Sequence, residues 1–280
     1  MEALRRAPTD WRARWRLAGL YRTAAPAAFI LANALVALAF VALWHLVSAT
    51  VKSEFVPGPP AVWRALITVL IDGDVTGLGL IRHSIVSIER VLSGFALSCA
   101  LAIPLGILLG LKPAIYRSSR VVLEPLRFIP PIAWVPIAIL LLRGDARYLF
   151  IISLGIFFPM LVATIAGVVR TDPIHLDVAK TLGLRPMQRI WKIVLPSALP
   201  EIVSGMRIGL GAGWMCIVAA EMIGGEMEGL GRMMLNHAEL LRVDIIVVGM
   251  LTVGAIGFVM NEIFIAVEHR VFRWRRAVEL

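Results

Sequence analysis

The sequence predicts an all-α membrane protein with about six transmembrane helices. Three observations carry that prediction. Of 280 residues, 59% are hydrophobic and only 17% are charged, whereas a soluble domain carries about 25% charged and roughly 45–50% apolar residues. The apolar residues gather into runs of roughly 20, the length a helix needs to cross a bilayer. The basic residues alternate with these runs. A net charge of +9 is also compatible with nucleic-acid binding, but this interleaving suits membrane topology better.

The chain opens on a basic tail, residues 1–26, taken as cytoplasmic. Its stretch "DWRARWRLAGLYR" mixes Trp11 and Trp15 with arginines. Such a segment either lies along the headgroup layer, with Trp at the interface and Arg toward anionic lipid, or stays a disordered basic tail. It is no secretory signal, because Arg5 through Arg22 extend too far and no cleavage site follows. A membrane domain over 27–269 comes next, with spans at about 27–49, 85–111, 123–142, 148–169, 202–223 and 243–267. A second basic tail, 270–280, closes the chain. The third span is interrupted by Pro125, Pro130, Pro131 and Pro136. Proline frees backbone carbonyls, so this segment is either a distorted core helix or the lining of a cavity.

Orientation follows from the basic residues outside the spans. Eighteen fall on the side that holds both tails, Lys112–Arg120 and loop 170–200, against seven on the other. The excess places both termini in the cytoplasm. Two stripes of small residues at four-residue spacing mark close helix packing. They are Gly94, Ser98, Ala102, Gly106 and Gly110 in the second span, and Gly205, Gly209 and Gly213 in the fifth. The spacing leaves open whether each stripe meets its own subunit or a second copy.

Loop 170–200 is the anomaly: twenty soluble-looking residues, "DVAKTLGLRPMQRIWKIVLP", between two apolar runs. Asp172 before Pro173 is a good helix start. The helix is expected over 174–182, with Gly183 as its stop and a further turn after Pro186. Leu176, Ala179, Leu182 and Leu184 are apolar enough to need a partner outside lipid, which predicts docking into a groove on another protein. The alternative is a surface helix with no partner.

Ionisable residues at membrane depth are candidates for lining a solute pathway. Glu89, Arg90, Glu124, Arg127, Arg207, Glu221 and Glu262 qualify loosely, most of them near span ends where snorkelling accounts for them. Arg127 and Arg207 stand out, since either offsets the desolvation of an anion if it faces the pathway, and otherwise snorkels or pairs. Pro130, Pro131, Trp134 and Trp214 complete the pathway candidates. Cys99 and Cys216 lie in apolar runs and form no metal or disulfide pattern. His237 with Glu239 is too little for a metal site. No HExxH or GxSxG occurs, which argues against a membrane enzyme. No GxxxxGK[ST] loop occurs, so ATP binding is not expected in this chain.

The loop also resembles the signature of binding-protein-dependent ABC permeases: Glu-Ala-Ala, three residues, Gly, nine residues, Ile, one residue, Leu-Pro. Asp177, Val178 and Ala179 stand for the first three, and Gly183, Ile193, Leu195 and Pro196 fall at the family's spacings. Asp for Glu shortens the acidic arm, and Val for Ala adds bulk. "RVLSGFALSCALAIPLGILLGL", "PLRFIPPIAWVPIAILLL" and "LPEIVSGMRIGLGAGWMCIVAAEMIGG" resemble the permeases for taurine, aliphatic sulfonates, nitrate and bicarbonate.

The resemblance implies a type I importer fold in the inner membrane, with two permease copies, expected as a homodimer, forming the pathway. It implies two cytoplasmic ATPase subunits that carry the ATP and Mg, and a periplasmic or lipid-tethered solute-binding protein. It makes the loop a coupling helix, in which Asp177, Ala179, Lys180, Gly183, Arg185, Arg189, Leu195 and Pro196 are the expected ATPase-coupling residues. In such permeases the segment 224–241 folds over the pathway. The rival from another class is an ion-driven secondary transporter, disfavoured by the lack of a clear internal repeat.

Overall fold

The computed structural model describes residues 26–51 and 53–271, and their regular structure is entirely helical. The expected tail with Trp11 and Trp15, Lys52 and the C-terminal Arg273, Arg275 and Arg276 lie outside the described residues. The chain divides into two units at Ala61.

The first unit holds α1 (Pro26–Val51). Between Leu31 and Val51 none of its side chains is buried, as expected of a helix whose solvent is lipid. The loop after it folds back onto the helix. Trp44 Nε1 donates to the Pro57 carbonyl at 3.0 Å and Ser48 Oγ to that of Val56 at 2.8 Å. Helix α2 (Pro59–Ile71) starts at the end of this unit and buries Val62, Ala65 and Val69 further on.

The second unit contains α3 (Leu80–Leu111), α4 (Pro113–Phe128), a 3-10 turn (Pro131–Trp134), α5 (Val135–Leu141) and α6 (Ala146–Val169). Then come α7 (Pro173–Thr181), α8 (Pro186–Arg189), a π turn (Ile190–Val194), α9 (Leu195–Ile223), α10 (Leu230–Glu239) and α11 (Val243–Val271). Helix α6 is the centre: its residues Ile151, Ile152, Ile156 and Met160 are at most 1% exposed.

The small residues of α3 and α9 show how the bundle is threaded. Gly94, Gly106 and Gly110 face Ile152, Thr164 and Val168, so α3 and α6 advance together and are parallel. Ser98 and Ala102, on the same stripe, are fully buried, and Ser98 Oγ donates to the Ser153 carbonyl at 2.9 Å. Gly205 faces Ala163, Gly209 faces Ile156 and Gly213 faces Ile156 and Ile152, so α9 is antiparallel to α6. Both stripes therefore meet the same helix of the same chain. Lipid offers no hydrophobic drive between helices, so close backbone approach supplies the contact.

Among the described residues, five helices are long and apolar enough to cross a membrane, and six crossings result if the bent pair α4–α5 counts as one. The parallel packing of α3 and α6 requires a return between them, which α4 and α5 provide. The segment expected as a third span over 123–142 is not a straight helix: the chain bends by 88° between α4 and the helical segment 131–141. The cause is local. Pro130 disfavours helical geometry at the preceding residue, and Ile129 (ψ 115°) and Pro130 (ψ 135°) are both extended. The helix that carries the second expected span starts at Leu80, ahead of 85, since polar Arg82 and His83 hide its first turns from an apolar pattern. The fifth runs back to Leu195, because Pro196 lies in the first turn, where its missing N–H is no loss.

Candidate coupling site

Helix α7 sits at the end of the bundle where α6 stops and α9 begins. Asp172 Oδ1 accepts a bond from the Ile174 N–H at 2.8 Å, and Pro173 takes the first helical position. The helix ends at Gly183, whose φ of +73° is the left-handed conformation that glycine adopts without cost. The Leu184 N–H returns to the Ala179 carbonyl at 3.0 Å and closes the turn. Arg170 and Glu201 form an ion pair that ties the loop's start to α9.

The helix has two faces. Ala179 is fully buried, and Leu176 packs against Val168, Val194, Ala198 and Ile202. These residues seat the helix on its own bundle. The expected docking face of Leu176, Ala179, Leu182 and Leu184 is therefore divided: Leu176 and Ala179 are anchors on the bundle, whereas Leu182 stays exposed. The free apolar stripe is Ile174, Val178 and Leu182, exposed by 68, 51 and 73% at the four-residue spacing of one helical face. Met187 and Trp191 extend it, each 63% exposed. Lys180 pairs with Asp177 at 2.7 Å on the solvent side. The Arg185 N–H donates to Gln188 Oε1 at 2.9 Å, leaving its side chain exposed. Arg189 is half-buried, its Nε without a partner. Leu195 and Pro196 begin α9, and Pro196 lines a shallow groove with His175, Val178, Lys192, Ile193 and Ser197.

The pathway candidates do not converge on one surface. Arg127 is exposed and lies over the ring of its neighbour Phe128 at 5.0 Å. Pro130 is exposed at the bend and Pro131 opens the turn beside it. Trp134 packs edge-on against Phe150 at 6.2 Å. Arg207 is committed to an ion pair with Glu268 on α11. Trp214 belongs to the apolar core at 6% exposure.

Glu221 is fully buried at the opposite end of the bundle. There its carboxylate meets Arg90 of α3 at 3.0 Å, Ser87 Oγ at 2.9 Å and the Gly231 N–H at 2.9 Å. Beside it, His83 lies 3.2 Å from Asp74, both side chains without exposure. Burial alone raises the Asp74 carboxyl pKa. Bonds from the Thr76 hydroxyl and the N–H groups of Thr76 and Leu78, with His83 alongside, hold it below the usual carboxylate range. Sequence reasoning passed over His83, Ser87 and Asp74; it placed Glu221 among the pathway candidates and Arg90 among the loosely qualifying charges, whereas the two are paired with each other. The available signal was one positive and one negative residue placed in spans that end on the same side.

Residues 102–276 match the family of binding-protein-dependent transport system inner membrane components. A Methanocaldococcus jannaschii protein described as an ABC transporter permease is 38% identical over 89% of this chain and 94% of its own. The taurine transport system permease protein of Escherichia coli is 31% identical over 80% of this chain and 82% of its own. The bicarbonate transport system permease protein of a Synechocystis species is 30% identical over the same shares. With α4 through α11, the α7 turn among them, inside the matched residues, the chain belongs to the family of binding-protein-dependent ABC importer permeases, multi-pass proteins of the plasma membrane.

Proposed function

We propose that this permease forms, with a second copy of itself, the pathway of an ATP-driven importer for a small anionic solute of the sulfonate, nitrate or bicarbonate kind. In this reading both termini and α7 are cytoplasmic. ATP and Mg are bound by two separate ATPase subunits, and a solute-binding protein delivers cargo on the other face. The observation that carries the coupling role is the exposed stripe Ile174, Val178 and Leu182 on a helix firmly seated by Ala179 and Leu176. A short helix with one apolar face held by its own chain and the other free is built to transmit a push. ATPase closure moves α7, and α7 moves α6 and α9, between which its anchor cluster lies, shifting the bundle between discrete packings. The anionic nature of the cargo is supported by the taurine and bicarbonate systems of the relatives.

Val178→Asp tests the coupling. It adds a charge to the exposed stripe and disturbs nothing buried, so membrane insertion and melting temperature stay unchanged within about 0.5 kcal/mol. Co-purification with the ATPase subunits falls at least tenfold. Wild-type co-purification and solute-stimulated ATP hydrolysis would remove α7 from the coupling role. The orientation is read separately with Gln188→Cys in a chain carrying Cys99→Ala and Cys216→Ala. An impermeant thiol reagent labels it only after lysis, and labelling in intact cells reverses the topology.

A further inference from the structure

The segment from Gly224 to Gly231, which joins α9 to α10 and includes the first two residues of α10, has polar groups taken up in succession by side chains of other elements. The Gly224 carbonyl accepts from Arg147, whose Nη2 lies 3.3 Å from the Glu226 carboxylate. The Glu226 N–H donates to Tyr148 Oη at 3.3 Å. The Glu228 carbonyl accepts from Arg90 at 2.9 Å, and the Glu228 carboxylate pairs with Arg82 at 2.9 Å. The next three N–H groups open α10, and groups in that position have no acceptor within their own helix. Gly229 donates to His83 Nδ1 at 3.1 Å, Leu230 to Ser87 Oγ at 3.0 Å and Gly231 to Glu221 Oε2 at 2.9 Å.

Two residues stand at the centre of this arrangement. Arg90 reaches Glu221, the Glu228 carbonyl and Asp145 from one guanidinium, which lies 4.1 Å over the Tyr148 ring. Glu221 receives Arg90, Ser87 and the N-terminus of α10, where the positive end of the helix dipole favours a carboxylate. Gly225 (φ +86°) and Gly229 (φ +125°) bound the three residues between them. A Cβ on Gly229 would collide with the Glu221 carboxylate. The glycines thus let the backbone turn and come close enough to be held. A buried ion pair is weak grounds for stability on its own. This pair, however, is aimed at the backbone of one loop.

We infer that loop 224–231 is a strap closing the end of the α3–α6–α9 bundle opposite α7, and that Arg90 and Glu221 are positioning residues that keep it docked. The consequence for transport rests on the importer reading: opening this end requires the strap to leave α3 and α6 while α10 stays packed on α11 through Met234 and Gly249. The docking itself is tested on the full-length permease alone, in lipid nanodiscs, by amide hydrogen exchange with melting temperature measured in parallel. A failure of the importer reading leaves that result standing.

Glu221→Gln keeps the side-chain shape and removes the charge that holds the three donors. The Gly229–Gly231 amides should exchange about tenfold faster or more, a larger factor than at any α6 amide, even where the stranded Arg90 also lowers the melting temperature. Arg90→Lys keeps the charge but cannot reach Asp145, Glu221 and the Glu228 carbonyl together, and should loosen the same segment. Ser87→Ala, which strands no charge, should loosen Leu230 by a smaller factor. Unchanged strap exchange in all three variants overturns the inference. So does faster exchange spread evenly over α3, α6 and α9 with no excess at Gly229–Gly231, which would make the pair a general support of the fold.

Discussion

The two ends of the bundle handle their polar and apolar groups in opposite ways. At the α7 end, apolar side chains point outward: Ile174, Val178, Leu182, Met187 and Trp191 are all more than half exposed. At the other end, charged side chains point inward: Arg90 and Glu221 are 8 and 0% exposed, and every oxygen of Glu221 has a donor. An exposed apolar stripe lacks a partner that water cannot replace. A saturated buried cluster lacks nothing, and breaking it strands a charge. Under the proposed coupling role, the difference separates a surface for another protein from a joint already made within the chain. Substitutions at the first should alter assembly and spare the fold. Substitutions at the second should do the reverse or loosen one segment.

The sharpest way to break this contrast is Arg90→Ala. It leaves Glu221 buried with no cation and the Glu228 carbonyl without a donor. Losing one partner of a buried pair costs about 3–5 kcal/mol, so the variant should melt far below wild type or fail to purify as a monodisperse species. Arg90→Met with Glu221→Leu removes both charges and should recover much of the loss, since a matched apolar pair pays no dehydration. An Arg90→Ala protein as stable as wild type would mean that the closed end is not closed.

Gly209→Leu probes the middle of the molecule. A Cβ at Gly209 already meets Ile156 Cγ2 at 2.9 Å and the Ile156 carbonyl at 3.2 Å, and leucine adds three more carbons. Overpacking of this kind costs about 1–3 kcal/mol. Because the contact is between α9 and α6 of one chain, the expected result is a lower melting temperature of the single subunit. An effect confined to subunit association would place the stripe at a dimer contact instead.

The two ends were also unequally legible. The start and stop of α7 could be read to within one residue, because Asp172-Pro173 and Gly183 act on neighbouring backbone. Its seated and free faces could not, since which side of a nine-residue helix meets Val194 and Ala198 depends on how α9 approaches. The small-residue stripes announced close packing but not their partner, α6, for the same reason. The 88° bend was announced by Pro130-Pro131 as an interruption, but its angle is set by the chain's return between parallel α3 and α6. The polar cluster was the least legible: Ser87 and Glu221 are 134 residues apart, and no local spacing links them. The family match, by contrast, decides between an ABC permease and an ion-driven carrier, which hydropathy could not.

Gly183→Val has the smallest expected effect on stability and the most specific one on assembly. At φ +73° a side chain suffers the clash of the left-handed region, which costs about 1–2 kcal/mol. Nothing lies within 4 Å of the position a Cβ would take, so the cost is torsional and no neighbour is displaced. The chain can relieve it by re-forming the turn between Thr181 and Pro186. That swings α8 and the Met187–Trp191 part of the exposed stripe, while Ala179 and the Arg170–Glu201 pair still hold α7. The spans have no part in this turn, so insertion and the melting temperature of the bundle should match wild type within about 0.5 kcal/mol. The ATPase subunits should bind weakly or hydrolyse ATP without transport. Co-purification and solute-stimulated hydrolysis in reconstituted vesicles read both outcomes. Gly183→Asn should fall between the two, since asparagine tolerates the left-handed region better than a β-branched residue. If valine, asparagine and glycine are equal in both assays, the turn is only a connection, and the comparison between the ends rests on exposure alone.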